Sequence, residues 1–198
     1  MRDELIEDPR QILIPGAARP RQAEVVRVAT DERYTPAWVL DIARKLGPIA
    51  YDPCTTPENH TGARDFSALP EDGLSQDWWS RARGGLVWCN PPFSRGLIAE
   101  WADKIAIEAS LGTEIVALTG CDPSTKWFAR LNVRAAIFAP LKKRVRFIAP
   151  VQQAEIKTHA KGATALWYFG PRGKAFAKAA EEHAHLYAPG ALTGKRRA

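Results

Sequence analysis

The sequence predicts an α/β sandwich on a mostly parallel sheet, with an antiparallel strand pair near the C-terminus. Three observations carry this. Continuous apolar runs at Gly85-Leu86-Val87-Trp88-Cys89, Glu114 to Thr119 and Thr164 to Phe169 read as buried strands. Stretches with helical spacing separate them, as crossovers between parallel strands require. The 198 residues, 45% hydrophobic and 25% charged, can bury one sizeable core and are too few for two ordinary domains.

Taken in order, residues 1–30 show no sustained period, and Pro9, Pro15, Gly16 and Pro20 interrupt any regular element, predicting an irregular arm. A single domain is expected over 31–190, followed by a basic tail over 191–198 that contains Lys195-Arg196-Arg197. Thr35 is placed to cap a helix, with Pro36 at its first position. Trp38, Val39, Ile42, Ala43 and Leu46 then recur at helical spacing until Gly47 stops it. Ile49 to Tyr51 reads as a buried strand running into Asp52-Pro53. The stretch from Cys54 to Arg83 is rich in Thr, Pro, Asn, Asp and Gly, with a short strand at Ala63 to Phe66. Loops of that length in a compact domain are usually functional. Leu97, Ile98, Trp101, Ile105 and Ala109 mark a second helix face, and Pro123 to Leu131 a third helix. Strand-like runs follow at Ala135 to Phe138 and Val145 to Ile148, and an amphipathic helix at about Gly173 to His185. The tryptophans at 78, 79, 88, 101, 127 and 167 are expected in the core or fixing loops.

No window longer than 12 residues lacks a charged side chain, so the run of about 20 apolar residues that a membrane span needs is absent. The acidic start, with Asp3, Glu4, Glu7 and Asp8, is unlike a secretion signal, so a cytoplasmic protein is expected. Cys54, Cys89 and Cys121 fit neither a disulfide framework nor a zinc knuckle and are read as buried thiols. His183 and His185 point to different sides of a helix, so no metal is expected. The net charge of +6 hints at a polyanionic partner.

Ligands in open α/β sheets bind beyond the carboxyl ends of the strands, where two unusual loops fall: Asp52-Pro53-Cys54 and Asn90-Pro91-Pro92-Phe93. The second arises by chance in on the order of one chain in a thousand of this length. Two prolines could merely terminate a strand. That leaves the aromatic and the buried strand before it unexplained. Methylation of an amine on an aromatic base would use such a loop, because that amine's lone pair is delocalised into the ring. The Asn90 side-chain oxygen and the Pro91 carbonyl can each accept one amine hydrogen, favouring a pyramidal nitrogen with an available lone pair. The prolines fix the carbonyl direction, and Phe93 offers a flat face for a base extruded from its duplex.

Six segments in this order resemble the phage-type DNA N6-adenine methyltransferases: Tyr34-Thr35-Pro36, Tyr51-Asp52-Pro53-Cys54, Pro57-Glu58-Asn59, Glu71-Asp72-Gly73-Leu74, Val87 to Phe93 and Thr125-Lys126-Trp127-Phe128. The likeness spans roughly Tyr34 to Phe169. It implies a Rossmann-like methyltransferase domain using S-adenosylmethionine. Carried over by position, Tyr34, Thr35 and Pro36 line the donor pocket, with Asp52 near the amino-acid end or ribose of the donor. Asp72 and Leu74 fall near its adenine, Pro53 and Asn59 also belong to the cofactor set, and Asn90, Pro91, Pro92 and Phe93 hold the target base. Asp52 and Asp72 each have a purely local use too, capping a turn. Many methyltransferases follow their first strand with a Gly-rich loop. Here Asp52-Pro53-Cys54-Thr55-Thr56 contains no glycine, leaving Thr55, Thr56 or Asn59 to supply side-chain donors instead.

Only 37 residues separate Asp52 from Asn90, too few for an inserted target-recognition domain. Sequence readout must come from elsewhere. Pro123 to Ala154 holds no acidic residue but seven basic ones: Lys126, Arg130, Arg134, Lys142, Lys143, Arg144 and Arg146. With Arg95, the cations at 126, 142, 143, 144 and 146 are the expected phosphate contacts. The polar stretch after them carries Gln152, Gln153, Lys157, His159 and Lys161. The competing use of this cluster is protection of a sheet edge. Two functional alternatives stay open: a related enzyme acting on RNA or a protein glutamine, and a non-enzymatic DNA-binding module.

Overall fold

The computed structural model describes residues 33–94, 96–148 and 162–189. The expected arm and tail, Arg95 and the polar residues from Gln152 to Lys161 lie outside them.

The strands are β1 (Ile49–Asp52), β2 (Asp65–Phe66), β3 (Leu86–Cys89), β4 (Ile115–Gly120), β5 (Ile137–Pro140) and β6 (Thr164–Phe169). They form one sheet in the order β2-β1-β3-β4-β6-β5. β1 pairs in parallel with β2 and β3, and β3 with β4, while β6 runs antiparallel between β4 and β5. The helices are α1 (Ala37–Arg44), α2 (Trp78–Ala82), α3 (Leu97–Ser110), α4 (Lys126–Arg134) and α5 (Gly173–Ala180).

The period-two geometry of the central strands sorts side chains to two faces. Leu86, Trp88, Val116, Leu118, Leu166 and Tyr168 pack with α1 and α5. Val87, Cys89, Ile115, Ala117, Trp167 and Phe169 pack with α2, α3 and α4. Burial on both faces explains why these strands read as unbroken apolar runs rather than alternating ones. The result is a Rossmann-like sandwich. Buried Glu108 ties α2 to α3, accepting from Lys104 Nζ at 2.6 Å, Thr113 Oγ1 at 3.1 Å and the Trp78 backbone N–H at 3.4 Å.

Several sequence expectations need correction. Pro36, not Thr35, is the N-cap of α1, and the Thr35 hydroxyl caps nothing. Val145 to Ile148 is extended, with Val145 and Phe147 buried and Arg144 and Arg146 exposed. It joins no ladder, because the chain passes beside residue 34 and makes one isolated bridge, Tyr34 to Ile148. The third helix begins at Lys126 rather than Pro123, because Asp122 turns the chain onto Ser124 N–H and Thr125 Oγ1 then caps the Phe128 N–H. α5 ends at Ala180, five residues early, since the Lys142 ammonium takes the Glu181 carbonyl at 2.8 Å and residues 184–187 leave to bridge the outer edge of β5. Of the thiols, only Cys89 is fully buried; Cys54 and Cys121 are half-buried. The five-residue α2, capped by the Asp77 carboxylate, is too short to show a period and lies within the stretch expected to be loop.

Candidate active site

β1 and β3 are neighbours whose onward connections diverge: β1 leads outward to β2, and β3 leads the other way to β4. That is a topological switch point, and both strands end there, at Asp52 and Cys89. A cleft opens at their carboxyl ends, the place where ligands bind in open α/β sheets. Its walls bring together four expected residues: Tyr34, Asp52, Asn90 and Pro92. Thr55 and Thr56, two of the three residues expected to stand in for a Gly-rich loop, also line it, together with Arg33, Cys54, His60 and Trp88. Thr35, Pro36, Pro53, Asn59, Asp72, Leu74, Pro91 and Phe93 do not line it.

Those outside the wall have visible work. Asp72 Oδ1 caps a 3-10 turn through Leu74 N–H at 3.0 Å. Asn59 staples its own turn, donating to the Ala63 carbonyl at 2.9 Å and accepting the Ala63 N–H at 3.2 Å. Gly73 lies against Pro53 so closely that a Cβ there would sit 1.8 Å from the Pro53 carbonyl oxygen. Asp52 also makes its local turn, accepting the Cys54 N–H at 3.1 Å on Oδ1, while Oδ2 accepts Thr61 Oγ1 at 3.0 Å.

Asn90 is held from one side. Its Nδ2 donates to the Arg33 carbonyl at 3.3 Å, which turns Oδ1 the other way. Phe93 is 37% exposed, with Phe147 braced against it at a centroid distance of 6.1 Å and 81° between planes. Tyr34 and Ile148 exchange both backbone hydrogen bonds, at 2.9 and 3.0 Å. The basic segment containing Lys142, Lys143, Arg144 and Arg146 is thereby tied to the same end of the sheet as the Asn-Pro-Pro-Phe loop. Lys142 is committed to the end of α5, and Arg130 pairs with Asp103. Lys126, Lys143, Arg144 and Arg146 are exposed.

Sequence reasoning missed His60. Its ring stacks on Tyr34 at 4.2 Å and 13°, and Nε2 accepts the Thr35 backbone N–H at 3.1 Å. The neutral ring therefore carries its proton on Nδ1. His60 Nδ1, Thr55 Oγ1 and Trp88 Nε1 are all buried without a hydrogen-bond partner among the described residues. Buried polar groups are nearly always paired, and these three belong to residues that line one cavity.

Burial, reinforced by the nearby Arg44 guanidinium, pulls His60 from its ordinary 6.5 down to about 4. Below pH 6.5 the unfolded chain takes up a proton that the folded one refuses. His60 thus contributes stability that is present above pH 6.5 and lost as pH falls toward 4. The urea midpoint of the wild type is expected to drop across this interval more than that of His60→Gln, whose amide does not titrate. Parallel pH profiles would contradict the assignment.

Residues 22–177 match the family model described as DNA N-6-adenine-methyltransferase (Dam). The chain belongs to the Dam family. Comparison with curated proteins finds no match. Methylation of DNA adenine at N6 is the activity that goes with this family, and a family of this type implies S-adenosylmethionine as methyl donor. Among the described residues of this Dam-family chain, no helix is long and apolar enough to cross a membrane, and no group of three His, Cys, Asp or Glu is placed to hold a metal.

Proposed function

We propose that this Dam-family protein transfers a methyl group from S-adenosylmethionine to the N6 amine of an adenine flipped out of DNA. One observation carries the reading: Asn90, at the end of a fully buried strand, shares a cavity with the unpartnered polar atoms of Thr55, His60 and Trp88. The wall fits the donor. Asp52 suits its ammonium group or ribose hydroxyls, and the orphan N–H groups suit its acceptors. Tyr34, Thr55 and Thr56 shape the side that a glycine-rich loop would otherwise form.

S-adenosylmethionine, when bound, supplies an electrophilic methyl carbon on a sulfonium. The chain's residues prepare the acceptor. With Nδ2 tied to the Arg33 carbonyl, the Asn90 Oδ1 is left to accept one amine hydrogen, and the Pro91 carbonyl, its backbone restricted by the following Pro92, is the candidate acceptor for the other. Two such acceptors on one nitrogen would draw it toward a pyramidal geometry and stabilise the positive charge that develops as the new bond forms. Phe93 sits where a flipped base would stack, since the loop cannot reach an amine inside a duplex. Exposed Lys143, Arg144 and Arg146 belong to the segment that carries Phe147, the neighbour of Phe93, and suit DNA phosphates.

The acceptor class is tested by offering labelled donor with duplex DNA, RNA and a protein extract. Label is expected in DNA. Label confined to RNA or protein overturns the acceptor, and absence of donor binding would favour a DNA-binding module without enzymatic activity. Replacing Lys143 and Arg144 together by Gln is expected to make the salt dependence of DNA binding shallower by about one to two units of log–log slope. Turnover at saturating DNA should stay near that of the wild type. An unchanged slope would remove these two residues from the DNA-contacting surface.

A further inference from the structure

We infer that His60, in its Nδ1–H form, is a positioning residue that donates to the carboxylate of the methyl donor, alongside the Trp88 indole N–H. The inference rests on the reading above that S-adenosylmethionine fills this cavity. It assigns the donor's carboxylate to His60, which lies outside the motifs that drew attention to the site, and to the indole N–H of Trp88, which those motifs gave no such role.

The argument is one of donors and acceptors. Trp88 is fully buried on β3, and its Nε1–H can only donate. His60 Nε2 is occupied by the Thr35 N–H, so its remaining nitrogen is a donor as well. Thr55 Oγ1 can serve either way. All three atoms are buried and unpartnered among the described residues, and all three residues line the same cavity. Asp52 accepts from the Cys54 N–H and Thr61 Oγ1. Two obligate donors with no acceptor among the described residues call for a ligand group able to accept several hydrogen bonds at once.

Among the groups of a sulfonium amino-acid nucleoside, the carboxylate fits best. It has about four lone-pair sites and a negative charge that strengthens each bond. The ring nitrogens of adenine accept one bond each, in plane. The ammonium, on the same carbon, is donor-only and suits Asp52, which lines the same cavity. The stack on Tyr34 fixes the His60 ring plane, so the direction of Nδ1–H is set before ligand arrives.

The experiment is calorimetric titration of full-length protein with S-adenosylmethionine and with its decarboxylated analogue. Wild type is expected to prefer the intact molecule by about 10- to 100-fold. His60→Gln keeps an acceptor at the Nε2 position for Thr35 but loses the Nδ1 donor. It should bind the intact molecule about 10-fold more weakly and the analogue unchanged. His60→Asn does the reverse, keeping an amide N–H at the Nδ1 position, and should retain most of the preference. Trp88→Phe, which keeps an aromatic ring but loses the indole N–H, should lose preference as His60→Gln does. A residue that merely held Thr35 would give the opposite order for Gln and Asn, and that result overturns the inference. Equal weakening of both ligands, or a wild-type preference retained in His60→Gln and Trp88→Phe, also overturns it while leaving the donor reading intact. Failure of the wild type to bind either ligand would instead remove the donor reading itself.

Discussion

Asn90→Ala is expected to lower turnover about 100- to 1,000-fold, the range typical when one preorganised hydrogen-bonding group aimed at developing charge is removed. Donor affinity should stay within about threefold of wild type, because the role proposed for the Asn90 oxygen is toward the acceptor amine rather than the donor. Steady-state kinetics paired with calorimetry separates the two effects. A loss confined to kcat supports the assigned role, and a loss of donor binding of similar size would move Asn90 to the donor's side of the cavity. Asn90→Asp provides a second reading, since it keeps an acceptor oxygen but loses the amide that pairs with the Arg33 carbonyl. It is expected to retain more activity than Ala.

Gly73→Ala is the second substitution with a large expected effect, and it acts from outside the cavity. The added Cβ would lie 1.8 Å from the Pro53 carbonyl oxygen and 2.7 Å from its carbon, both backbone atoms. Gly73 cannot easily retreat, because its own carbonyl accepts the indole N–H of fully buried Trp78 at 2.8 Å. Overpacking of this kind costs about 1–3 kcal/mol, or roughly 2–4 °C of melting temperature per kcal/mol in a chain of this size. Relief comes by moving Pro53, which carries Asp52 and Thr55 with it. Donor affinity should therefore fall by more than about 10-fold, beyond what destabilisation alone explains. A lowered melting temperature with wild-type donor affinity would show that the Pro53 contact is structural only.

The central strands were legible because they are buried on both faces: β3, β4 and β6 announce themselves as apolar runs without needing an alternating pattern. The two-residue β2 and five-residue α2 fall below the length at which a period can be recognised. Val145 to Ile148 misled for a physical reason. Its residues alternate between inside and outside as a strand's would, but alternation reports burial of one side of an extended chain and says nothing of a hydrogen-bonding neighbour. At the site, Asn90 and Asp52 were visible because each stands at the end of an apolar run beside proline. His60 was not, because a lone histidine in a polar loop carries no signal until the fold sets it over Tyr34 and against the Thr35 N–H. Trp88 was expected in the core and is there; only the structure reveals that its N–H has no partner among the described residues. The position of the charge surplus was readable along the chain, yet its relation to the base-holding loop was not. The Phe93 to Phe147 contact and the Tyr34 to Ile148 bridge supply that relation.

The central claim is that the cavity between β1 and β3 joins a methyl donor to the amine of a DNA adenine. It is tested most directly by incubating duplex DNA with the protein and S-adenosylmethionine, digesting to nucleosides and measuring N6-methyl-2′-deoxyadenosine by mass. The nucleoside should accumulate with wild type and fall to near background with Asn90→Ala. Wild-type protein that binds the donor and the DNA yet forms none of it would contradict the account.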